Sequence, residues 1–270
     1  MPGKPRLDAL LVERGLVATR SRAQALIMAG RVTVDGAPVT KAGTPTTPDA
    51  ELAVVASARY VSRGGEKLET GLRTFALDPT GLRCLDVGSS TGGFTDCLLQ
   101  HGAAAVAAVD VGRHQLHERL RGDPRVTVLE GVNARTLEPA RLPFPPALIT
   151  ADVSFISLRL VLPAAIACAE PGWRAVVLVK PQFEAGRDQV RKGVVRDPEV
   201  RRRVLQGFAQ FVAAGALGSP AAVLGVCDSS LPGPAGNREY LMDLVAAGHP
   251  IARERATDVQ AAIEVAIGEH

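Results

Sequence analysis

From residue 83 onward the chain repeats one pattern: a short apolar run, a charged residue near its end, then a helical stretch. "RCLDVG" (83–88) precedes the helix-like "GGFTDCLLQHG" (92–102). "AAVAAVDV" (104–111), "VTVLE" (126–130), "ALITADVS" (147–154) and "AVVLVK" (175–180) follow, with helical patterns between them. Continuous apolar runs are strands covered on both faces, and strands separated by helices pair through crossovers rather than hairpins. The order predicts a parallel sheet with helices on both faces.

Ligands bind outside the carboxyl ends of the strands in such sheets. The runs close on Asp86, Asp110, Asp152 and Lys180, so four charged residues are expected on one rim. Lys180 is the odd member, because the apolar run Ala175–Val179 leads straight into it and Pro181 follows. A strand-end lysine ordinarily snorkels to solvent. Three neighbours argue for more. Asp152 closes the adjacent strand. Lys67 lies in "SRGGEKLETGLRTF", a helix preceding the first strand that could reach over the rim. Glu239 lies in "PGPAGNREYLM" (232–242), a turn-rich loop feeding the last strand.

The first strand–helix turn, "LDVGSSTGGFTD" (85–96), lacks the G-x-G-x-x-G of dinucleotide enzymes. Gly88 comes first, then Ser89, Ser90 and Thr91, then Gly92 and Gly93 opening a helix that continues with Phe94. A wide loop of small residues lets the backbone approach a ligand, and Asp110 at the next strand end can accept two ribose hydroxyls. The arrangement resembles that of S-adenosylmethionine-dependent methyltransferases. The resemblance implies that Asp86 and the 88–94 loop hold the methionine part, that Asp110 and Val111 hold the ribose, and that Asn133 and Ala134 flank the adenine, with Asp152 nearby.

The front of the chain is different. "RLDALLVERGLVATRSRAQALIMAGRVTVDGAPV" (6–39) reads as two short helices and a strand pair. Leu7, Leu10, Leu11 and Val12 form an apolar face, and Gly15 stops the helix. Thr19 or Ser21 caps the second helix, with Ala25, Leu26 and Met28 inside and Gly30 ending it. Asp35-Gly36 is a hairpin turn signal. Residues 1–60 carry eight Lys/Arg against five Asp/Glu, which accounts for the whole net charge of +3. Charge concentrated in one module points to a nucleic-acid contact. The "SRAQALIMAGRVTVDG" core resembles the S4 domain over roughly residues 6–55. That resemblance makes Arg6, Arg20, Arg22, Arg31 and Lys41 candidate RNA ligands, acting on phosphates and shape.

Composition excludes several classes. The 46% of apolar residues sustains a packed, mainly aliphatic core. Cys84, Cys97, Cys168 and Cys227 have no CxxC spacing and the five histidines no ligand spacing, so no zinc site, redox dithiol or metal is expected. Unpaired cysteines fit a reducing, cytoplasmic compartment. No signal peptide is evident, and the apolar runs are too short to span a bilayer, so no membrane partner is expected.

Taken together, "VSRGGEKLE", "DVGSSTGGFTD", "ADVSFISL", "VKPQFE" and "PGPAGNREY" resemble the TlyA (hemolysin A-type) family nearly end to end. The resemblance implies a small α+β S4 domain (1–58), a linker (59–64) and an FtsJ/RrmJ-like, Rossmann-like methyltransferase domain (65–270). The last domain is an α/β fold whose mostly parallel sheet ends in an antiparallel strand. The implied activity is S-adenosylmethionine-dependent 2′-O-methylation of ribosomal RNA or ribosomal subunits, at cytidine. The implied catalytic tetrad is Lys67, Asp152, Lys180 and Glu239. The family's linker reads Arg-x-Trp-Val; here Arg59-Tyr60-Val61 is one residue shorter and lacks the tryptophan, so a coupling role is not carried over.

The tetrad suits the reaction. A ribose 2′-hydroxyl must lose its proton as it attacks, and a lysine can take that proton or stabilise the alkoxide. Asp152 would orient Lys180, and Glu239 would hold Lys67 or the ribose. Arg201, Arg202 and Arg203 read as a solvated row, with RNA contact the lesser reading. Phe155 and Phe183 fit a base-stacking role or a core or lid role. Rival readings are a non-catalytic RNA-binding protein that keeps the cofactor as a structural ligand, a membrane-active hemolysin, and a nicotinamide oxidoreductase.

Overall fold

The computed structural model describes residues 4–54, 59–233, 235–254 and 258–268. The chain divides into two compact units, Met1–Ala58 and Arg59–His270.

In the first unit, α1 (Leu7–Glu13) and α2 (Arg20–Met28) pack on a sheet of order β2-β1-β3, formed by β1 (Val32–Val34), β2 (Ala37–Val39) and β3 (Leu52–Val54). Thr19 caps α2 by accepting the Arg22 N–H. Asp35 and Gly36 both take positive φ, +50° and +77°, the turn that matches the twist of two antiparallel strands. The core holds Leu7, Leu11, Ala23, Ile27 and Val32. Within α2 the buried positions are Ala23 and Ile27, one helical turn apart, while Met28 is 73% exposed. The face fixed by Ala23 and Ile27 leaves Met28 outside that core.

The second unit is built on seven strands in the order β6-β5-β4-β7-β8-β10-β9. They are β4 (Arg83–Val87), β5 (Ala105–Asp110), β6 (Val126–Glu130), β7 (Leu148–Ala151), β8 (Arg174–Val179), β9 (Ala221–Asp228) and β10 (Tyr240–Ala246). The first five are parallel, and β10 runs antiparallel to both β8 and β9. The predicted fold class holds, and the edge strand β9, "AAVLGVCD", is added to the expected strands.

The helices are α3 (Gly64–Thr74), α4 (Gly93–Gln100), α5 (Glu118–Arg121), α6 (Leu158–Ala167), α7 (Pro181–Glu184), α8 (Pro198–Ala213), α9 (Pro250–Glu254) and α10 (Val259–Gly268). Strand side chains alternate between the two faces. Leu85, Val87, Val177 and Val179 join α6, α8 and α10 in one core, while Cys84, Val176 and Leu178 join α3 and α4 in the other. The chain leaves β4 toward β5 and β6, then returns to place β7 on the other side of β4. That reversal opens a crevice at the carboxyl ends of β4 and β7.

Three expectations change. Asp86 lies one residue inside β4, is 0% exposed and is not on the rim. The Arg201–Arg203 row is not a uniform solvated face. Arg201 is buried against the Tyr240 hydroxyl at 3.4 Å, Arg202 pairs with Glu264 at 2.7 Å and with Glu199, and Arg203 is exposed. The linker residues are part of the second unit: Tyr60 is 1% exposed beside Leu68 and Phe94, and the Val61 N–H donates to Asp96 Oδ2 at 2.8 Å. Among the described residues no helix is long and apolar enough to cross a membrane.

Candidate active site

The crevice holds two adjoining cavities. The smaller, of about 270 Å³, is lined by all four tetrad candidates, Lys67, Asp152, Lys180 and Glu239. The larger, of about 600 Å³, is edged by Asp110 and walled by Val109, Val111, Val132, Ala134, Val153, Ile156 and Val161. Gly88, Ser90, Asp152 and Ser154 line both.

Each tetrad residue arrives by a different local device. Leu68 and Leu72, one turn apart, bury α3 among Val176, Leu178 and Leu241, and so hold Lys67 over the ends of β8 and β10. Asp152 follows the last residue of β7, and its backbone N–H bonds to Val87 O at 2.9 Å. Lys180 follows β8 because Pro181 starts α7 there: proline suits the first helical position and cannot extend a ladder. Glu239 precedes β10, and the pairing of Tyr240 with Val179 puts it beside Lys180. Reversal of β10 is what brings its amino end to this rim; a parallel strand would carry Glu239 to the opposite edge.

The four charges form two pairs. Lys67 bonds Glu239 Oε2, with both side chains buried. Lys180 Nζ lies 2.6 Å from Asp152 Oδ1 and donates to Ser154 Oγ at 3.0 Å. The Asp152 approach is a charge contact without hydrogen-bond alignment, so Ser154 supplies the directional contact. Alternating signs allow four charged groups to share a small cavity without net repulsion.

The glycine loop is shaped by its neighbours. Gly88 has φ +80°, and a Cβ there would stand 2.6 Å from Asp152 O. Gly92 has φ +95°, and a Cβ would stand 2.3 Å from Leu120 Cδ1. Gly88, Ser89, Ser90, Thr91, Gly93 and Phe94 line the smaller cavity, whereas Gly92 lines neither. Asp110 accepts the Ser90 N–H at 2.8 Å and the Gly112 N–H at 2.7 Å, leaving lone pairs for a ligand. Val111, Asn133 and Ala134 line the larger cavity.

Asp86 lines neither cavity. It accepts the Thr95 hydroxyl at 2.7 Å and the Thr150 hydroxyl at 3.2 Å. Burial, reinforced by the nearby Asp152 charge, pushes its carboxyl up to about 7, against the pull of the two hydroxyls. Its place is beneath the loop, joining β4 to α4 and β7.

Several lining residues carried no separate sequence signal. Ser154 and Ser62 sit inside the strings "ADVSFISL" and "VSRGGEKLE", but only contact distances single them out. Gln115 enters the larger cavity on a loop held by Glu130. The Glu130 carboxylate bonds Arg121 and accepts the N–H groups of His114, Gln115 and Leu116, which draw it down to about 2. Phe155, 92% exposed with φ +63°, stands at the mouth of the larger cavity, 5.2 Å from the Phe183 ring.

In the first unit, Arg6 and Arg20 both reach the fully buried carboxylate of Asp8 at 3.1 Å, and Gln24 joins them at 2.8 Å. Arg6 above all holds that carboxyl well below the usual range. Each arginine stays about half exposed, so the buried acid pre-orients two cations at the surface. Arg22 and Lys41 are exposed and Arg31 is half-buried.

Comparison with known proteins agrees with this architecture. The FtsJ-like methyltransferase model matches residues 60–245, and the S4 domain model matches residues 5–52. The 16S/23S rRNA (cytidine-2′-O)-methyltransferase TlyA of Mycobacterium tuberculosis is 48% identical over 90% of each chain. Hemolysin A of Brachyspira hyodysenteriae is 38% identical over 89% of this chain and 99% of its own. A solved structure from Streptococcus thermophilus, named for a hemolysin, has 39% identity and a TM-score of 0.71, covering 98% of this chain and 96% of that one. The chain therefore belongs to the FtsJ-like methyltransferases, in the TlyA (hemolysin A-type) family that joins an S4 domain to the catalytic fold.

Proposed function

We propose that the chain transfers a methyl group from S-adenosylmethionine to a ribose 2′-hydroxyl of ribosomal RNA, with cytidine as the target. One observation carries the reading. Two lysine–carboxylate pairs line a cavity that shares Gly88, Ser90, Asp152 and Ser154 with a larger, mostly apolar cavity edged by an acid. The name of the M. tuberculosis relative supports the substrate and the nucleoside, and the S4 match supports an RNA partner.

The residues present fit the cofactor. Aliphatic walls suit a flat heterocycle, Asp110 has free lone pairs for ribose hydroxyls, and Gly88 leaves backbone where a Cβ would collide. When bound, the cofactor provides an electrophilic methyl group on a sulfonium. The rest falls to the chain. Lys180 is assigned to the attacking 2′-oxygen, either as the amine that takes its proton or as the ammonium that stabilises its charge. Asp152 and Ser154 orient Lys180. Glu239 holds Lys67, which completes the alternation of charge. Asp110, Asn133 and Ala134 hold the nucleoside part of the cofactor, and the 88–94 loop its amino-acid part. The exposed ring of Phe155 offers a stacking face for an unstacked base. Arg6, Arg20, Arg22, Arg31 and Lys41 are assigned to RNA phosphates.

Incubating unmodified ribosomal subunits with methyl-labelled cofactor, then digesting the RNA to nucleosides, tests the reading. Label is expected in 2′-O-methylcytidine; label on a base, or none, rejects it.

A further inference from the structure

The four tetrad residues sit on four separate pieces of chain, and a fifth residue ties two of those pieces together. Gln182 lies in α7, two positions past Lys180. Its Nε2 donates to Glu239 Oε1 at 3.1 Å, while Lys67 holds the other oxygen of the same carboxylate. A carboxylate only accepts, so the amide nitrogen must face it. The amide's own oxygen is buried with no partner among the described residues. On the far side, a Cβ on Gly233 would stand 2.4 Å from Glu239 Oε1, so that oxygen is confined between a glycine and the amide.

The same turn reaches the other pair. Lys180 is the residue from which α7 starts. At its end Glu184 accepts the Ser157 hydroxyl at 2.6 Å and the Leu158 N–H at 2.7 Å, closing the loop that leaves Asp152 and Ser154. One short turn is therefore bonded to the segments that carry both lysine–carboxylate pairs.

We propose that Gln182 is a positioning residue for methyl transfer: its amide fixes Glu239, and through it Lys67, relative to Lys180 and Asp152. The proposal rests on the function assigned above and adds a residue that acts through another rather than on substrate. Two observations set it apart from packing. A buried amide oxygen with no partner among the described residues is a cost that an apolar side chain of the same shape would not carry, so the amide is kept for the one bond it makes. The bond the amide does make ends on a charged member of the site, where hydrogen bonds are strongest.

Gln182→Met keeps an unbranched side chain of similar length but has no donor; Gln182→Ala removes both bulk and donor. Transfer from labelled S-adenosylmethionine to unmodified ribosomal subunits is measured with the full chain, together with cofactor affinity by calorimetry and thermal unfolding. Both variants are expected to lose about tenfold or more in kcat, the effect of one hydrogen bond to a charged group. KM for RNA and cofactor affinity are expected to stay within about twofold of wild type. A modest fall in the unfolding temperature of the Met variant is expected, because the buried Glu239 Oε1 loses its donor. A Met variant with wild-type kcat overturns the proposal. So does one whose loss of rate comes with an equal loss of cofactor affinity, or disappears at assay temperatures well below unfolding, since packing then explains it. Wild-type protein that transfers no label rejects the assigned function and the proposal together; active wild type with an equally active Met variant rejects the role of Gln182 alone.

Discussion

Asp86 and Asp110 are the same residue type near the ends of neighbouring strands, and burial gives them different chemistry. Asp110 is half-buried at a cavity edge, with backbone donors on both oxygens. Asp86 is sealed between Thr95 and Thr150, and its carboxyl is raised to about 7 from an ordinary 3.8. The folded chain then keeps a proton that the unfolded chain has released. This contribution to stability is complete below pH of about 4 and is lost as pH rises through about 7. Asp86→Asn is expected to flatten the dependence of Tm on pH between those limits; melts parallel to wild type would place the slope elsewhere. Lys180→Ala should bind cofactor with wild-type affinity yet lose transfer by about a hundredfold or more, the scale of removing one charge-stabilising group. Retained transfer removes Lys180 from its assigned role.

At the scale of elements, the 88–93 turn shows how a loop and a helix determine each other. Gly92 opens α4 with φ +95°, and its missing Cβ is the space taken by Leu120 and Leu116. Gly92→Ala should cost about 1–3 kcal/mol through backbone strain and overpacking, and it should weaken cofactor binding because Thr91 and Gly93 line the smaller cavity. Denaturant melts and calorimetry check both; unaltered affinity would show that the loop's shape does not depend on Gly92. Strand β10 makes a related point. Its seven residues, Tyr240–Ala246, are all buried, as are most of those in the parallel strands, with Asp243 as the one charge, paired to Arg174. Direction is decided by connection, and only the reversed direction brings Glu239 to the rim. The edge strand β9, "AAVLGVCD", follows α8 as the parallel strands follow their helices, so the local pattern does not reveal that it pairs with β10 alone at the sheet edge.

For the whole molecule, the two units have separate cores, one around Leu7, Leu11 and Ile27 and the others flanking the seven-stranded sheet. Each assigned task has its own unit: exposed arginines steadied by Asp8 in the first, and both cavities in the second. Deleting residues 1–58 should weaken RNA binding by about tenfold or more, through lost phosphate contacts, with cofactor affinity little changed. Filter binding and calorimetry measure the two, and equal loss of both would contradict the division. The amino-acid order by itself determined the strand–helix alternation, the glycine turn, the hairpin at Asp35-Gly36 and the residue types at the strand ends. These follow from local periodicity, backbone propensity and the alternation of buried faces, all written within a few residues of one another. Tertiary structure decided which charges pair, that Asp86 serves the core, that Arg201 is buried and that Gln182 meets Glu239. Those outcomes depend on contacts such as Lys67 with Glu239, 172 residues apart, where chain closure selects partners that no local stretch encodes.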